Sequence, residues 1–300
     1  YPEADRLVAL SGTMAREGGE AQEWPIGLLD IEALEAELGG AGAGGGGARS
    51  GAVLVGPAAF TGARSFNLSQ GETVAHVNAE MVSASYFDVL GVAPIAGRPF
   101  DEAENREGAP VALLAASLWR EAFGADPGVP GTTIRLNDRA YEVVGVMPAG
   151  FRGMTDEADL WLPIRNAGQV YNPGYVTVRP FRWLAGVARL AEGRTLAEAE
   201  AAVAAVMAGL EEAHPDDNRG FGIAIAPLGV AEHDEVFRQL KHAVFDQNHG
   251  THSAYYFPNW PAVHKAYSDV MVGALKGDRD DIPAALEAGM EQVSKAASGE

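Results

Sequence analysis

Thr132-Thr133-Ile134-Arg135-Leu136-Asn137-Asp138-Arg139-Ala140-Tyr141-Glu142-Val143-Val144-Gly145-Val146 is the stretch that decides the fold class. Two runs rich in β-branched and apolar residues flank Asn137-Asp138, a pair that tolerates the left-handed backbone a tight turn demands, so the stretch reads as strand, turn and strand. Upstream, Pro110 precedes Val111-Ala112-Leu113-Leu114, a buried strand. Ala116–Phe123 follows, with Leu118, Trp119 and Phe123 at helical spacing and Gly124 as the stop. Further back, Val74–Val82 alternates as a strand does, and Ser85–Leu90 makes a helical turn ended by Gly91. Downstream, Asp159–Ile164, Arg182–Leu190 and Phe221–Ile225 are further strands. Between the last two, Thr195 caps an Ala-rich helix to about Ala213, with Glu198 completing a capping box and Leu196, Val203, Val206, Met207 and Leu210 forming one stripe. Strands and helices that do not alternate regularly predict an α+β fold, mixed short-stranded sheets with packed helices in two subdomains around the hairpin.

Composition narrows the function. The chain has 300 residues, 47% of them hydrophobic, enough for roughly two domains with cores. Asp and Glu number 41 against 22 Lys and Arg, a formal charge of −19, which repels nucleic acid and anionic membrane surfaces. The absence of cysteine excludes a disulfide scaffold, a thiolate nucleophile and thiolate-bound metal. The longest apolar stretches, Gly51–Ala63 and Ala201–Leu210, fall short of the ~20 residues a membrane helix needs.

The organisation reads in three parts. Residues 1–63 are poorly defined. They hold a short helix from Asp30, as its N-cap, to Leu38, stopped by Gly39, and the Gly-rich run 39–47 reads as a flexible tether. Residues 64–230 form the core domain. Residues 231–300 contain all four lysines (Lys241, Lys265, Lys276 and Lys295), an aromatic patch at Tyr255–Pro261, and two helices near Ala262–Leu275 and Ile282–Ala297.

No residue pattern calls for catalysis. His249-x-x-His252, with His242 or Asp246, could present metal ligands, but matches no known motif and is more simply a set of solvated loop histidines. Asp216-Asp217 and Asp278, Asp280 and Asp281 lack the spacing of a calcium loop and read as turn and capping residues. Ser11-Gly12 and Ser50-Gly51 have no nucleophile-elbow context, the Gly-rich run lacks the Lys-Ser/Thr of a phosphate loop, and Trp119 and Trp161 read as core. Asn67-Leu68-Ser69 fits the glycosylation pattern and says nothing more without the host. The sequence assigns no catalytic, cofactor-binding or metal residue.

Residues Val82–Leu228 resemble the periplasmic core domain of MacB-like ABC transporter permeases. The likeness rests on Val82-Ser83-Ala84-Ser85-Tyr86-Phe87-Asp88-Val89-Leu90-Gly91-Val92 with Pro94, Gly97-Arg98 and Phe100, then Pro110–Leu114, Leu118-Trp119 and Phe123-Gly124-Ala125-Asp126-Pro127. Gly131, Leu136-Asn137, Tyr141–Pro148 and Phe151 continue it, followed by Asp159–Pro163, Ala188-Arg189-Leu190, Gly193, Thr195-Leu196 and Asn218-Arg219-Gly220. The resemblance implies a non-enzymatic extracytoplasmic domain that couples ATP hydrolysis by a cytoplasmic ABC ATPase to movement outside the membrane, in export or mechanotransmission. It implies a membrane-spanning permease region and a periplasmic partner protein as its contacts, and no nucleic acid. Tyr1-Pro2 fits the family's opening loosely, Trp24–Ala63 reads as an insertion or degenerate region, and the membrane helices expected after the core are missing from the chain. Tyr256–Ala297 is somewhat similar to the closing helices of extracellular solute-binding proteins, which implies the alternative of a solute-binding module with the 255–261 aromatics lining its site.

Overall fold

Asn137 and Asp138 both adopt positive φ (45° and 64°) in the computed structural model, which describes residues 1–15, 21–40, 52–70 and 73–228. That pair is a two-residue turn of the kind that matches strand twist, and Leu136 sits opposite Arg139. The expected hairpin is therefore present, its second strand starting at Arg139.

Before the hairpin come β1 (Leu7–Met14), β2 (Gln22–Trp24), β3 (Ile26–Gly27), α1 (Leu28–Leu38), β4 (Gly39–Gly40), β5 (Leu54–Phe60), β6 (Arg64–Gln70), β7 (Thr73–Val82), α2 (Tyr86–Leu90), β8 (Ala96–Gly97), α3 (Glu102–Glu107), β9 (Val111–Leu114) and α4 (Ala116–Phe123). The hairpin is β10 (Thr133–Leu136) and β11 (Arg139–Val146). After it come β12 (Leu160–Pro163), α5 (Ala167–Val170), α6 (Gly174–Thr177), β13 (Arg182–Leu190), α7 (Leu196–Ala213), α8 (Pro215–Asn218) and β14 (Phe221–Pro227).

The strand pairings sort these elements into two halves. In one, β5, β13, β1 and β14 are neighbours in that order and antiparallel throughout. With α1 between β1 and β5 and α7 between β13 and β14, this is a split β-α-β unit of ferredoxin-like topology. In the other, β7 pairs β6, then β10, β11, β9 and β12 follow, and β12 returns to β7 in parallel, so the path closes into a six-stranded ring. The ring is inserted between the second and third strands of the ferredoxin-like half. The α+β class and two subdomains expected from the sequence are present, but the hairpin lies inside the ring and does not divide them.

Local signals explain the helices. Thr195 Oγ1 accepts from the Glu198 amide at 3.3 Å while Glu198 Oε2 accepts from the Thr195 amide at 2.8 Å, so the capping box starts α7. Ala199, Val203 and Met207 of α7 are buried, with Leu196, Val206 and Leu210 packed beside them. One core lies beneath α1 and α7 and runs into the ring; a second, on the other face of the sheet, gathers Phe60, Tyr86, Phe87, Phe100, Phe151 and Trp161.

Three expectations are corrected. Leu7–Met14 and Leu54–Phe60, from the stretch read as poorly defined, are strands of the ferredoxin-like sheet, and Trp24–Ala63 supplies its first helix, so neither is degenerate. Gly39 and Gly40 are not part of a tether: they pair in parallel with Leu54 and Val55, and a Cβ on Gly39 would overlap the carbonyls of Glu35 and Gly56. Glycine is there for close approach of backbones. Asp30 is not an N-cap; Gly27 takes that position and Asp30 is buried in the first turn of α1. The remainder of the Gly-rich run, residues 41–51, and the whole of 229–300 lie outside the described residues.

Candidate functional site: the seam between the two halves

The chain passes from the ferredoxin-like half into the ring at residues 61–63 and back through 164–181, so motion of one half against the other is focused on a narrow seam. Phe60 of β5 pairs with Val82 of β7 there, and α2, which belongs to the insertion, packs on β5 and β13 of the other half. Leu7, Ala58, Phe60, Ala185 and Val187 from the ferredoxin-like half meet Tyr86, Phe87, Val89 and Leu90 of α2 across it. Burying such side chains contributes roughly 1.5–3 kcal/mol each, which holds the halves together without a covalent lock.

Polar groups add direction. Arg165, just past β12, grips Glu32 of α1 in a bidentate pair, with Nη2 at 2.7 Å from Oε1 and 2.8 Å from Oε2. One turn further along α1, the Glu35 carboxyl bonds the Ser85 hydroxyl at the start of α2. Burial pushes the Glu35 carboxyl up to about 7, and the neighbouring charges of Glu102 and Glu32 push the same way against the Ser85 bond. Burial also raises Glu102 of α3, which pairs with Arg106 at 3.5 Å. The seam thus carries a row of carboxyls, Glu32, Glu35 and Glu102, answered by Arg165 and Arg106.

Other buried charges lock loops onto the scaffold. Glu80 of β7 is fully buried. Its Oε2 accepts from the Tyr86 hydroxyl at 3.0 Å and the Trp161 indole at 2.9 Å, and its Oε1 from the Thr155 amide at 2.9 Å and hydroxyl at 2.6 Å. Burial drives this carboxyl above its usual range, with the donors opposing. A Cβ on Gly153, whose φ is +76°, would overlap the same carboxylate. The 151–158 loop is therefore fastened through Glu80 and through the Tyr86 hydroxyl, which accepts from the Met154 amide at 2.7 Å. Arg189 of β13 donates to the Val89 and Glu3 carbonyls at 2.9 Å each, tying α2 and the N-terminal turn to the sheet. Asp30 receives Arg179 at 2.7 Å and Asn218 at 3.1 Å.

Among the residues singled out from the sequence, Trp161 lies in the aromatic core and Trp119 donates its indole N–H to the Asp126 carbonyl at 2.8 Å, both scaffold roles. Asp216 and Asp217 sit in α8, where the Asp217 carbonyl accepts from Arg182. Ser11 is a strand residue opposite Ala224, and Asn67 is an exposed strand residue bonded to the Asn137 side chain. Ser50-Gly51, His242, Asp246, His249, His252, the 255–261 aromatics and Asp278, Asp280 and Asp281 lie outside the described residues. Within the described residues no group of His, Asp and Glu is placed to hold a metal, and no helix is long and apolar enough to cross a membrane. Sequence reasoning missed Glu80 and Glu35, gave Asp30 a capping role it does not have, and placed Arg189 only in the family pattern. No local signal marks Glu80, because strand alternation places it with His76 and Asn78 on the face opposite Val77, Ala79 and Met81.

The family model described as the MacB-like periplasmic core domain matches residues 11–206, a span that reaches into both halves and begins well before Val82, where the motifs of the resemblance start. The macrolide export ATP-binding/permease protein MacB of Chlorobaculum tepidum is 35% identical over 108 residues, 33% of this chain and 16% of that protein. Its namesake in Bdellovibrio bacteriovorus is 34% identical over 79 residues, 26% of this chain and 12% of that protein. The chain therefore corresponds to a small part of those relatives. The crystal structure of the periplasmic region of MacB from Actinobacillus actinomycetemcomitans has the same fold at a TM-score of 0.51 and 15% identity, covering 79% of this chain and 94% of that one. A domain of a putative permease protein from Porphyromonas gingivalis matches at a TM-score of 0.50 and 19% identity, over 76% and 92% of the two chains.

Proposed function

Because the chain belongs to the family of MacB-like periplasmic core domains, we propose that it is the extracytoplasmic domain of a MacB/FtsX-type ABC transporter permease. It acts without catalysis, coupling ATP hydrolysis by a cytoplasmic ABC ATPase to conformational change outside the membrane, in export or mechanotransmission. Its contacts are the membrane-spanning permease region and a periplasmic partner protein, and it works at the extracytoplasmic face of the cell membrane. The observation that carries this reading is the family match reaching into both halves, which among the described residues are joined by two chain connections across the seam. The buried acids Asp30 and Glu80 are engaged by donors of the fold itself, which suits a scaffold that transmits force more than a site that binds a reactant.

The test is to stop the seam from moving. The chain has no cysteine, so E32C together with R165C adds a unique pair within it, and a reducible cross-linker with a short spacer spans the length of the original ion pair. In the assembled transporter, the bridged domain should slow ATP turnover several-fold, with recovery on reduction. Turnover at the unmodified rate in the bridged protein would refute the coupling role.

A further inference from the structure

We propose that the outer edge of β14, flanked by α7, is a strand-addition site that takes an extended segment of a partner protein bearing basic residues at its ends. β14 lies at the end of the ferredoxin-like sheet, and no strand among the described residues pairs with its outer side. Its register against β1 runs unbroken from Met14↔Phe221 to Val8↔Pro227, without a bulge. At the flanks, Ala15 donates to the Gly220 carbonyl at 2.9 Å and Leu228 to the Leu7 carbonyl at 2.8 Å. In an antiparallel ladder the groups alternate in direction, so Gly222, Ala224 and Ala226 face β1 while Phe221, Ile223 and Ile225 turn their N–H and C=O outward.

Proteins normally blunt such an edge with a charge, a proline, a bulge or a covering element. Phe221-Gly222-Ile223-Ala224-Ile225-Ala226 carries none of the first three, and Pro227 comes only at the end. Phe221 and Ile225 point their side chains into the core shared with Val203 and Met207 of α7, so the strand is held flat and in register as a template. This is the geometry of recognition by strand addition, in which main-chain bonds supply affinity.

Charge selects the occupant. Between residues 192 and 228 the acids are Glu192, Glu198, Glu200, Glu211, Glu212, Asp216 and Asp217, against Arg194, which pairs with Glu198 at 3.3 Å, and Arg219. The short connection from α7 to β14 makes the two run antiparallel along their contact, which sets Glu211, Glu212, Asp216 and Asp217 beside the start of the strand and Glu198 and Glu200 towards its end. A second copy of this chain would bring the same acids against themselves. An extended segment with Lys or Arg at both ends meets opposite charge at both ends.

The probe is a synthetic nine-residue peptide alternating Val and Thr, with lysines at both ends, titrated into the full 300-residue chain by fluorescence anisotropy, beside an analogue ending in glutamates. Saturable binding of the lysine peptide is expected, weaker by about tenfold for the glutamate analogue or on raising salt through a severalfold change in ionic strength. The variant I223P removes an outward N–H and leaves the ladder to β1, so it should abolish binding. Amide exchange on the unaltered chain gives a readout that needs no variant. Ile223 and Ile225 should exchange faster than Gly222 and Ala224 in the free protein and slow on adding the peptide. Equal binding of both peptides, unchanged binding by I223P, or Ile223 and Ile225 amides already protected in the free chain, which would mean that another part of this chain or a second copy covers the edge, would each overturn the proposal.

Discussion

Glu35→Gln should make the protein more stable than the wild type at about pH 8 and indistinguishable from it near pH 4. Burial against the seam raises the Glu35 carboxyl from 4.5 to about 7, with Glu102 and Glu32 contributing repulsion. The folded state therefore holds the proton more tightly than the unfolded chain does. That advantage is fully present below 4.5 and is lost as pH rises through about 7, so ionising Glu35 weakens the fold at alkaline pH. Two and a half pH units correspond to a ceiling of about 3 kcal/mol, and since Glu35 is only partly buried, solvent screening leaves roughly 1–2 kcal/mol. Glutamine keeps the shape and can still meet the Ser85 hydroxyl, but carries no charge. For a domain of this size the gain corresponds to a rise in Tm of about 3–6 °C at the alkaline end. Differential scanning calorimetry of the two proteins across the range measures it directly. Curves that stay parallel from acid to alkali would show that Glu35 titrates normally and that the seam imposes no penalty on its charge.

Three further substitutions probe the scaffold. Glu80→Gln presents an amide to donors that need a carboxylate, leaving the Thr155 amide or the Trp161 indole without an acceptor; chemical denaturation near pH 8 should show a loss of about 2–4 kcal/mol, and no loss would mean that Glu80 is uncharged in the fold. Thr195→Ala deletes the capping box of α7 and should cost about 1 kcal/mol by the same assay, against no change if packing alone sets the start of the helix. Asp138→Gly relieves a positive φ in the hairpin turn and should raise stability by about 0.5–1 kcal/mol; a fall would mean that the turn depends on the aspartate side chain.

Much of the fold was legible in the chain because it is written in local signals. The Asn137-Asp138 turn, the Gly91 and Gly124 helix ends and the Thr195-Glu198 capping box each act within a few residues, and each is found where the spacing predicts. The first 63 residues were misread for the opposite reason. Leu54–Phe60 contains Gly56 and Pro57, poor strand formers locally, yet it is a strand because β13 pairs with Leu54 and Val55 on one side of them and with Ala58, Ala59 and Phe60 on the other, across a register irregularity. Gly39 and Gly40 look like linker in sequence and are a paired strand, and at Gly39 the lack of a side chain admits the carbonyls of Glu35 and Gly56.

The seam was invisible for a related reason. Glu32 and Arg165 are 133 positions apart, and Glu80 and Trp161 are 81 apart, so no spacing rule connects them. By itself the sequence determined the class of fold, the elements with strong local punctuation, the acidic character that disfavours nucleic acid, and through ordered motifs the resemblance to a permease core domain. Only the tertiary structure decided that the strands divide into a ferredoxin-like sheet and a closed ring, that one chain segment lies inserted within another, and that carboxyls such as Asp30 and Glu80 are buried. Pairing between distant strands is decided by which backbone groups and apolar faces can be satisfied together, a global condition that no short window of residues contains.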